Sequence, residues 1–350
     1  MKVIKFILKL ISILILLFVL FVLYASFSDY KPDISELVFE SEIHDTIDIN
    51  KELSLMIWNI GYCGLSDDMD FFYDGGKQVR TSKENVNENF DFVKSELSKN
   101  DSIDFILLQE VDLHSKRSYY LNELDSFNLL LTEFKSFFGK NYDVTFVPSP
   151  ITKPLGKVKS GLVSYSKYNP KLVTRYSFPG NYSWPVKLFM LDRCFLVKRF
   201  PTSNEKELIV INTHNSAYDD GSLKKQQMEY LKTFLLKEHE KGNYIIVGGD
   251  WNQNPPEIDY SDIKENSPTQ RFVLNPINKD YLPTNWIWVY DASTPTNRYL
   301  DAPFEHGKTI TPIIDFYLMS PNIFSISVKT QDFDFKHTDH QSVIVKIKLI

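Results

Sequence analysis

Residues 244–255 read YIIVGGDWNQNP, an apolar run that passes through two glycines into polar side chains. Four consecutive apolar residues are typical of a strand that is buried on both faces. Glycine allows a sharp turn or the close approach of another segment, so Asp250 and Asn252 should emerge at the end of this strand. A single strand end of this kind is weak evidence for a functional site, and its weight depends on how many other strands end alike.

Four more apolar runs share this form. They are LSLMIWN at 53–59, IDFILLQE at 103–110, KELIVINTH at 206–214 and IIDFYLMS at 313–320. Two further runs, SGLVSYSK at 160–167 and SVIVKIKLI at 342–350, are strand-like without obvious chemistry at their ends. Segments with helical periodicity lie between the strands: one follows a cap at Thr81 or Ser82, and another covers 224–240. Doubly buried strands interspersed with helices predict an α/β fold whose sheets are covered by helical layers.

The N-terminus carries a segment suited to a membrane. Three lysines among the first nine residues precede nineteen uncharged residues at 10–28, a run long enough to span a bilayer. The basic end should stay cytoplasmic, which puts the rest of the chain outside the cytoplasm, in the periplasm or the extracellular space. Cleavage after the small-x-small pattern at 26–28 stays open and would give a secreted protein. We favour an uncleaved anchor over residues 1–28, with the lipid bilayer as a partner through 10–28 and no protein partner.

The remainder of the chain has the composition of a globular protein. Of the 350 residues 43% are hydrophobic and 24% are charged, which is enough apolar material for a sizeable core. No linker, charge block or internal repeat divides the chain after residue 30, so we predict a juxtamembrane segment at 29–49 and one large catalytic domain at 50–350. Cys63 and Cys194 form neither a CxxC metal motif nor a disulfide framework, although a single bridge between them stays open.

The polar residues at the strand ends form a chemically coherent set. In chain order they are Asn59, Glu110, Asn212, His214, Asp250, Asn252, Asp315, Asp339 and His340. Carboxylates, amides and imidazoles are the groups that metal-assisted attack of water on a phosphate ester requires. The set therefore predicts a hydrolytic site at one edge of the fold.

Six motifs that contain these residues resemble those of the endonuclease/exonuclease/phosphatase superfamily, the pancreatic deoxyribonuclease-like metal-dependent phosphoesterases. The motifs are WNIG at 58–61, LLQEVD at 107–112, NTHNSAYD at 212–219, GGDWNQNP at 248–255, IDFYLMS at 314–320 and TDHQSV at 338–343. They occur in the family's order and span roughly residues 50–350. The resemblance implies a four-layered α/β sandwich, two packed mixed β-sheets flanked by helices, here preceded by an N-terminal membrane helix.

The resemblance also implies a metal site. Glu110 would be the principal Mg²⁺ ligand, completed by Asn59 and Asp339 directly or through water, and Mn²⁺ is expected to substitute for Mg²⁺. Asp250 and Asn252 would lie beside the scissile phosphate, where they align the nucleophile and bind a phosphoryl oxygen. In an extended segment their side chains would point to the same side and Trp251 to the other, so Trp251 is expected to pack in the core. An Asx turn at Asp250 is the alternative, which would explain the turn but not the five companion motifs.

The family's histidine roles can be carried over to two histidines. Asp315 would accept a hydrogen bond from His340, and His214 would lie across the phosphate from it. Which histidine acts as base and which as acid stays open. Asn212, Arg117 and Arg298 are weaker candidates for phosphate contacts, with strand closure and surface salt bridges as the alternatives.

Substrate identity is less well defined by the sequence. The arginine that often precedes the equivalent of Asp315 is missing, since the chain reads KTITPIID there. Aromatic residues at 67–76 and at 285–291 are expected to form a rim for nucleobases, sugars or acyl chains. Without the first 28 residues, which hold three lysines and no acid, the formal charge falls from −6 to −9. The chain therefore lacks the overall basic footprint of a protein that binds polyanions.

The leading functional hypothesis is Mg²⁺-dependent hydrolysis of a phosphoester by in-line water attack outside the cytoplasm, with a phosphodiester favoured over a monoester. A secreted or periplasmic nuclease for DNA or RNA and a sphingomyelinase-like hydrolase of phospholipid head groups are alternatives within the enzymes. The non-enzymatic alternative is a catalytically silent binding module with the same fold. The complete set of site residues weighs against this last alternative.

Overall fold

The computed structural model describes residues 1–219, 221–256, 258 and 276–350. Within these residues the helices are α1 Lys2–Ser28, α2 Lys83–Lys99, α3 Glu123–Leu130 and α4 Ser222–Glu240. The strands are β1 Ser35–Glu40, β2 Glu52–Asn59, β3 Phe105–Asp112, β4 Lys135–Val147, β5 Gly156–Ser166, β6 Leu172–Ser177, β7 Cys194–Pro201, β8 Glu207–His214, β9 Tyr244–Asp250, β10 Ile287–Val289, β11 Asp315–Met319, β12 Ile323–Thr330 and β13 Val343–Leu349. Each of the seven strand-like runs of the sequence is a strand, which confirms those predictions.

The strands form two mixed sheets. One sheet has seven strands in the order β1-β6-β7-β8-β9-β11-β10, and the other has six in the order β12-β13-β2-β3-β5-β4. Each sheet contains one parallel pair, β8 with β9 and β2 with β3, and its other neighbouring strands are antiparallel. Carboxyl ends of parallel strands meet at the same edge of a sheet, so each sheet has an edge at which neighbouring strands end together.

Three layers of apolar side chains hold the sandwich together. Between the sheets, Leu55 and Ile57 of β2 share a buried cluster with Val210 of β8 and Ile246 of β9. Helix α4 covers the outer face of the seven-stranded sheet, and helix α2 covers that of the six-stranded sheet. Burial of such a side chain contributes about 1.5–3 kcal/mol, so these layers dominate the stability of the fold. The predicted α/β sandwich is confirmed.

The helix boundaries follow from local chemistry. Ser82 is the N-cap of α2, and its side chain accepts a hydrogen bond from the backbone N–H of Asn85, as the sequence predicts. In α4, Met228, Leu231 and Leu235 form the face that packs on the sheet. The cap and the apolar spacing therefore position both covering helices.

Cys63 and Cys194 are both free and buried, in separate apolar clusters. The disulfide left open by the sequence therefore does not form.

By its length and composition alone, helix α1 is long and apolar enough to cross a membrane or to serve as a signal sequence.

Candidate active site

Three strand ends of the seven-stranded sheet meet at one edge. Asp250 ends β9, is aligned with His214 at the end of the parallel β8, and is aligned on its other side with Asp315 at the start of the antiparallel β11. Nε2 of His214 lies 3.4 Å from Oδ2 of Asp250. The strand register therefore brings together three residues that are far apart in the sequence.

The six-stranded sheet contributes Asn59 and Glu110 to the same place. Nδ2 of Asn59 donates to Oδ2 of Asp250 at 3.0 Å and to Oε1 of Glu110 at 3.3 Å. Oε1 of Glu110 in turn lies 3.9 Å from Nε2 of His214. Asn59 therefore links the polar edges of the two sheets into one site.

The two glycines before Asp250 are required by close approaches. A Cβ on Gly249, whose φ is +145°, would lie 2.1 Å from the carbonyl oxygen of Thr213, and a Cβ on Gly248 would lie 2.7 Å from Cγ2 of Ile57. Both distances are shorter than a van der Waals contact. Glycine here lets β8 and the opposite sheet come close to the end of β9.

The backbone of the site departs from regular strand geometry at Glu110 and Asn252. Their φ angles are +56° and +50°, a region that costs energy for residues other than glycine. At Glu110 the pairing of β3 with β5 shifts register between Leu108 and Val111, which is a β-bulge that turns the carboxylate toward the site. Such strain is typical of positions where function dictates the side-chain direction.

The prediction of an extended segment from Asp250 to Asn252 is wrong. The backbone N–H of Asn252 donates to Oδ1 of Asp250 at 2.9 Å, which closes a turn, and Nδ2 of Asn252 donates to the carbonyl of Asn215. Asp250 and Asn252 nevertheless line the same cleft. Trp251 is fully buried and stacks on Phe316, which confirms its packing role.

His340 is held by a carboxylate on one side and an amide on the other. Its Nδ1 lies 2.8 Å from Oδ2 of Asp315, and the side-chain amide of Asn297 contacts its Nε2 at 3.0 Å. Burial alone would lower the pKa of His340, but Asp315 and Asp339 outweigh this effect and raise it to about 10. Nδ2 of Asn297 and Nδ2 of Asn59, at 3.4 Å, both face Nε2, so as placed this nitrogen accepts while Nδ1–H donates to Asp315.

His214 has the opposite character. Burial lowers its pKa well below the ordinary value, and the nearby charges of Arg193 and His340 add to the decrease. Its Nδ1 is buried and has no hydrogen-bond partner within the described residues. The surroundings thus shift the pKa values of the two imidazoles in opposite directions.

Negative charge is concentrated in the site. Burial raises the pKa of Asp250 to about 6, with Asp315 adding to the shift, and burial raises that of Asp339 to about 7, with a further contribution from Glu110. Oδ1 of Asp339 is buried and has no partner in the described part of the chain. Oxygen ligands that repel one another fit a divalent cation. Asp250, Asp315 and His340 are also close enough to share an ion, but Asp315 and His340 already pair with each other.

The weaker phosphate candidates have different outcomes. Asn212 lies between the sheets, where Nδ2 donates to the carbonyls of Leu108 and Val163 and Oδ1 accepts from Gln109. Both of its N–H groups are used and it does not line the cleft, so these contacts give Asn212 a structural role and do not support a phosphate contact. Since Asn212 joins β8 to two strands of the opposite sheet, it does not merely close its own strand either.

Arg117 and Arg298 both line the cleft and are both buried, so neither forms a surface salt bridge. Arg298 donates to the backbone carbonyls of Tyr299, Ala302, Ser66 and Met69, which occupies most of its guanidinium with loop contacts. Arg117 pairs with Asp112 at 2.9 Å and lies 3.8 Å from Oε2 of Glu110. Arg117 therefore positions a site carboxylate, whereas Arg298 positions a loop.

Two residues that line the site, Asn297 and Arg193, are not predicted from the sequence. Asn297 contacts His340, whereas the predicted residue was its neighbour Arg298. Arg193 lines the cleft just before β7, and its Nη1 is buried without a partner in the described residues. Burial lowers the pKa of Arg193, while the charges of Glu110 and Asp250 oppose the decrease. The sequence signal for Asn297 is the TNR motif at 296–298, which also contains the predicted Arg298. A prediction of β7 would have placed Arg193 directly before a strand.

The cleft has an empty volume of about 990 Å³, part of which is open to solvent. Phe71, Tyr73 and Asp74 line it, so the predicted aromatic rim is correct for 67–76. The segment at 285–291 does not line the cleft, because Trp286 and Trp288 pack on the outer face of the seven-stranded sheet. The wall of the cleft is thus aromatic on the side of the 67–76 loop.

Known proteins share this architecture. A structure of an endonuclease/exonuclease/phosphatase from Beutenbergia cavernae DSM 12333 superposes with a TM-score of 0.56 at 15% identity, over 85% of this chain and 72% of that one. The protein of the same description from Bacteroides vulgatus gives 0.51 at 18% identity, over 86% and 100% of the chains. ANGEL2, a 2',3'-cyclic phosphatase, gives 0.53 at 17% identity, over 86% and 96%. These likenesses show a common fold.

Sequence comparison defines the family directly. No curated protein matches the chain significantly. The model of the Endonuclease/Exonuclease/phosphatase family matches residues 56–301, which is more than half of the chain and spans the ends of β2, β3, β8 and β9. The chain belongs to the endonuclease/exonuclease/phosphatase family of phosphoric ester hydrolases.

Proposed function

We propose that the protein is a Mg²⁺-dependent phosphodiesterase that is anchored in a membrane by residues 1–28 and acts outside the cytoplasm. Its catalytic domain would include the predicted 50–350 region together with β1 and Ile47, which the fold places in the seven-stranded sheet and the core. The observation that carries the proposal is the convergence of strand ends from both sheets on one cleft, joined by Asn59. A structural protein of this fold would have no need for strained backbone at Glu110 or for uncompensated acids.

Glu110 and Asp339 would hold the metal ion directly, because they offer carboxylate oxygens and Asp339 has an oxygen without a partner in the described residues. Oδ1 of Asn59 accepts from the backbone N–H of Gly61 and its Nδ2 donates to Glu110, so Asn59 would act on the metal through Glu110 or a bound water. When bound, Mg²⁺ would neutralise charge on the phosphoryl oxygens. Arg117 would keep the carboxylate of Glu110 in place through its 3.8 Å contact. Buried carboxylates that repel one another are stabilised by a divalent cation, so the position between them favours a metal ion.

The protein groups around the phosphate would divide the remaining work. Asp250, ionised at neutral pH, would orient a water molecule and accept its proton, while Asn252 would donate to a phosphoryl oxygen. His340, oriented by the contact of its Nδ1 with Asp315, would bind another oxygen through Nε2 once that nitrogen is protonated, which the raised pKa favours. His214, the neutral imidazole, lies on the other side of Asp250 from Asp315 and would contact the leaving group. Arg193 is a further cation placed to bind the substrate.

A hydrolase of lipid head groups is the second candidate. The cleft wall includes Met190 and Leu191, which directly follow a segment that contacts α1, so apolar surface continues from the cleft toward the membrane helix. A nuclease shares the chemistry but gains no specific support from the charge of the chain. The candidate substrates would therefore undergo the same reaction and differ in the chemical group that must fit against the wall of the cleft.

The full chain in detergent micelles tests the proposal. We expect it to hydrolyse bis-p-nitrophenyl phosphate with added Mg²⁺ or Mn²⁺, faster than the monoester p-nitrophenyl phosphate, and EDTA should abolish the activity. Nucleic acid, phospholipid and sugar phosphate substrates compared under the same conditions would rank the substrate classes. A folded, metal-loaded protein that turns over none of these esters would support the binding-module alternative instead.

A further inference from the structure

The catalytic part of the chain contacts the membrane-type helix over the last two turns of α1. Phe21 stacks on Phe189 with ring centroids 5.8 Å apart and meets Phe146 edge-on at 6.1 Å. Nε1 of Trp184 donates to Oγ of Ser26 at 3.2 Å. The rest of α1 is exposed along most of its length. One edge of the catalytic part is therefore fixed against the outer end of α1.

The position of these contacts along α1 sets their depth. Phe21 precedes Ser28 by seven residues, which is about 10 Å along a helix. The uncharged run at 10–28 matches the thickness of a bilayer, so Phe21 lies within its outer part. Phe146 and Phe189, which touch Phe21, then lie below the outer end of the run, among the outer parts of the acyl chains, whereas Trp184 beside Ser26 lies near the head groups.

The surface beside these contacts is apolar and open. Trp184 is 60% exposed, Val186 48% and Phe146 41%, whereas the other tryptophans are buried or half-buried. Lys187 is exposed between Val186 and the buried Leu188. An exposed tryptophan among apolar residues with an adjacent lysine is the composition of a segment at a membrane interface. Such a patch in water would be costly and prone to association.

We infer that the 184–189 loop and Phe146 lie in the outer interface of the bilayer, as a second membrane contact beside α1. The inference rests on the anchoring part of the proposed function. A bilayer is the occupant that fits, because the patch is continuous with α1 and Trp184 is hydrogen-bonded to that helix. A second copy of the chain would have to displace the lipid that surrounds α1 to reach the same surface.

The contact places the cleft at the membrane surface. Met190 and Leu191 immediately follow the 184–189 loop and line the cleft, and Arg193 lines it two residues further on. A loop held in the lipid interface would fix the position of this wall. The distance from bilayer to cleft is thus set by the fold and not by a flexible tether.

Tryptophan fluorescence of the full chain in phosphatidylcholine/phosphatidylglycerol vesicles tests the inference. We expect lipids brominated near the head group to quench the Trp184 emission, and aqueous iodide to quench it weakly. Trp184→Phe should remove at least half of the bromolipid quenching. Trp288→Phe is the matched control, since Trp288 is half-buried on β10, at the other edge of the seven-stranded sheet from β1, and should leave the quenching unchanged.

A second variant makes the outcome decisive. Val186→Glu adds a charge to an exposed position and should shift the Trp184 emission to the red and make it accessible to iodide. Protein that floats with the vesicles but shows strong iodide quenching and no bromolipid quenching would overturn the second contact and leave the anchor intact. Protein that does not float with the vesicles would instead contradict the anchoring proposal itself.

Discussion

β8 carries two buried polar residues two positions apart, and they belong to different regions of the molecule. Asn212 lies between the sheets, where its amide reaches two carbonyls and the side chain of Gln109. His214 lies at the edge, with Nδ1 unpartnered in the described residues and Nε2 facing the carboxylates of Asp250 and Glu110. Both are almost fully buried. Complete hydrogen bonding marks the structural residue, and incomplete bonding among like charges marks the site.

A charge-removing substitution at the edge should have the largest effect on activity. Asp250→Asn keeps the shape of the side chain, but it can no longer accept the proton of the attacking water. We expect the turnover of bis-p-nitrophenyl phosphate to fall by about 10³-fold or more. The melting temperature should stay at or above the wild-type value, because the cluster loses a negative charge whose pKa burial already raises to about 6.

Initial rates and the circular-dichroism melting curve, recorded in the same micelles, measure both effects. Wild-type turnover in Asp250→Asn would remove Asp250 from the reaction. A variant that no longer folds would place it with Asn212 as a structural residue. Either result would break the distinction between the edge and the interior.

The sequence predicts the edge better than the interior. Asp250, Glu110, His214 and His340 are brought together as expected, because motifs at strand ends carry both the strand and its terminal residue. The sequence does not distinguish the role of Asn212 from that of His214, because both belong to one motif. The point at which β8 ends decides which of the two side chains lies between the sheets.

A loop residue and an inner strand, β7, are also not predicted from the sequence. Asn297 and Arg298 are adjacent, and the turn of the chain decides which of them reaches His340. β7 was not predicted, because Lys198 and Arg199 interrupt its apolar pattern even though Lys198 is fully buried. The alternation rule assumes that a lysine faces water, and it fails where the core accepts one.

Removing the interior amide should cost stability and spare the chemistry. Asn212→Leu is similar in size, but it removes the side-chain hydrogen bonds to the carbonyls of Leu108 and Val163 and one of the two bonds that Nε2 of Gln109 donates. We expect a loss of about 3 kcal/mol in unfolding free energy, since each buried unpaired group costs about 1–3 kcal/mol. Chemical denaturation in micelles measures this loss, and turnover at low temperature reports on the folded fraction.

The matched comparison is with Asp250→Asn, for which stability and activity should change in the opposite pattern. If Asn212→Leu instead kept its stability and lost turnover, Asn212 would be a phosphate ligand after all. That outcome would mean that complete hydrogen bonding does not identify structural residues in this fold.

Lys198 is the interior residue that departs from this pattern, and it gives the smallest expected effect. It is fully buried on β7, its Nζ has no partner within the described residues, and it lies over the ring of Phe105. Burial lowers its pKa well below the ordinary value. Unfolding therefore takes up a proton at pH values between the folded-state and the unfolded-state pKa of Lys198, and the shift favours the unfolded chain at every pH below the unfolded-state pKa.

Lys198→Met should accordingly raise the unfolding free energy by about 1–3 kcal/mol at pH 6.5, because methionine fills the site without a protonation cost. The gain should shrink as the pH rises toward about 10, where lysine in the unfolded chain also loses its proton. Unfolding curves at pH 6.5 and 9.5 measure the change, with Lys346→Met at an exposed position of β13 as the control. A destabilised Lys198→Met would mean that the buried amino group stabilises the interior, for which its position over the ring of Phe105 is the available contact.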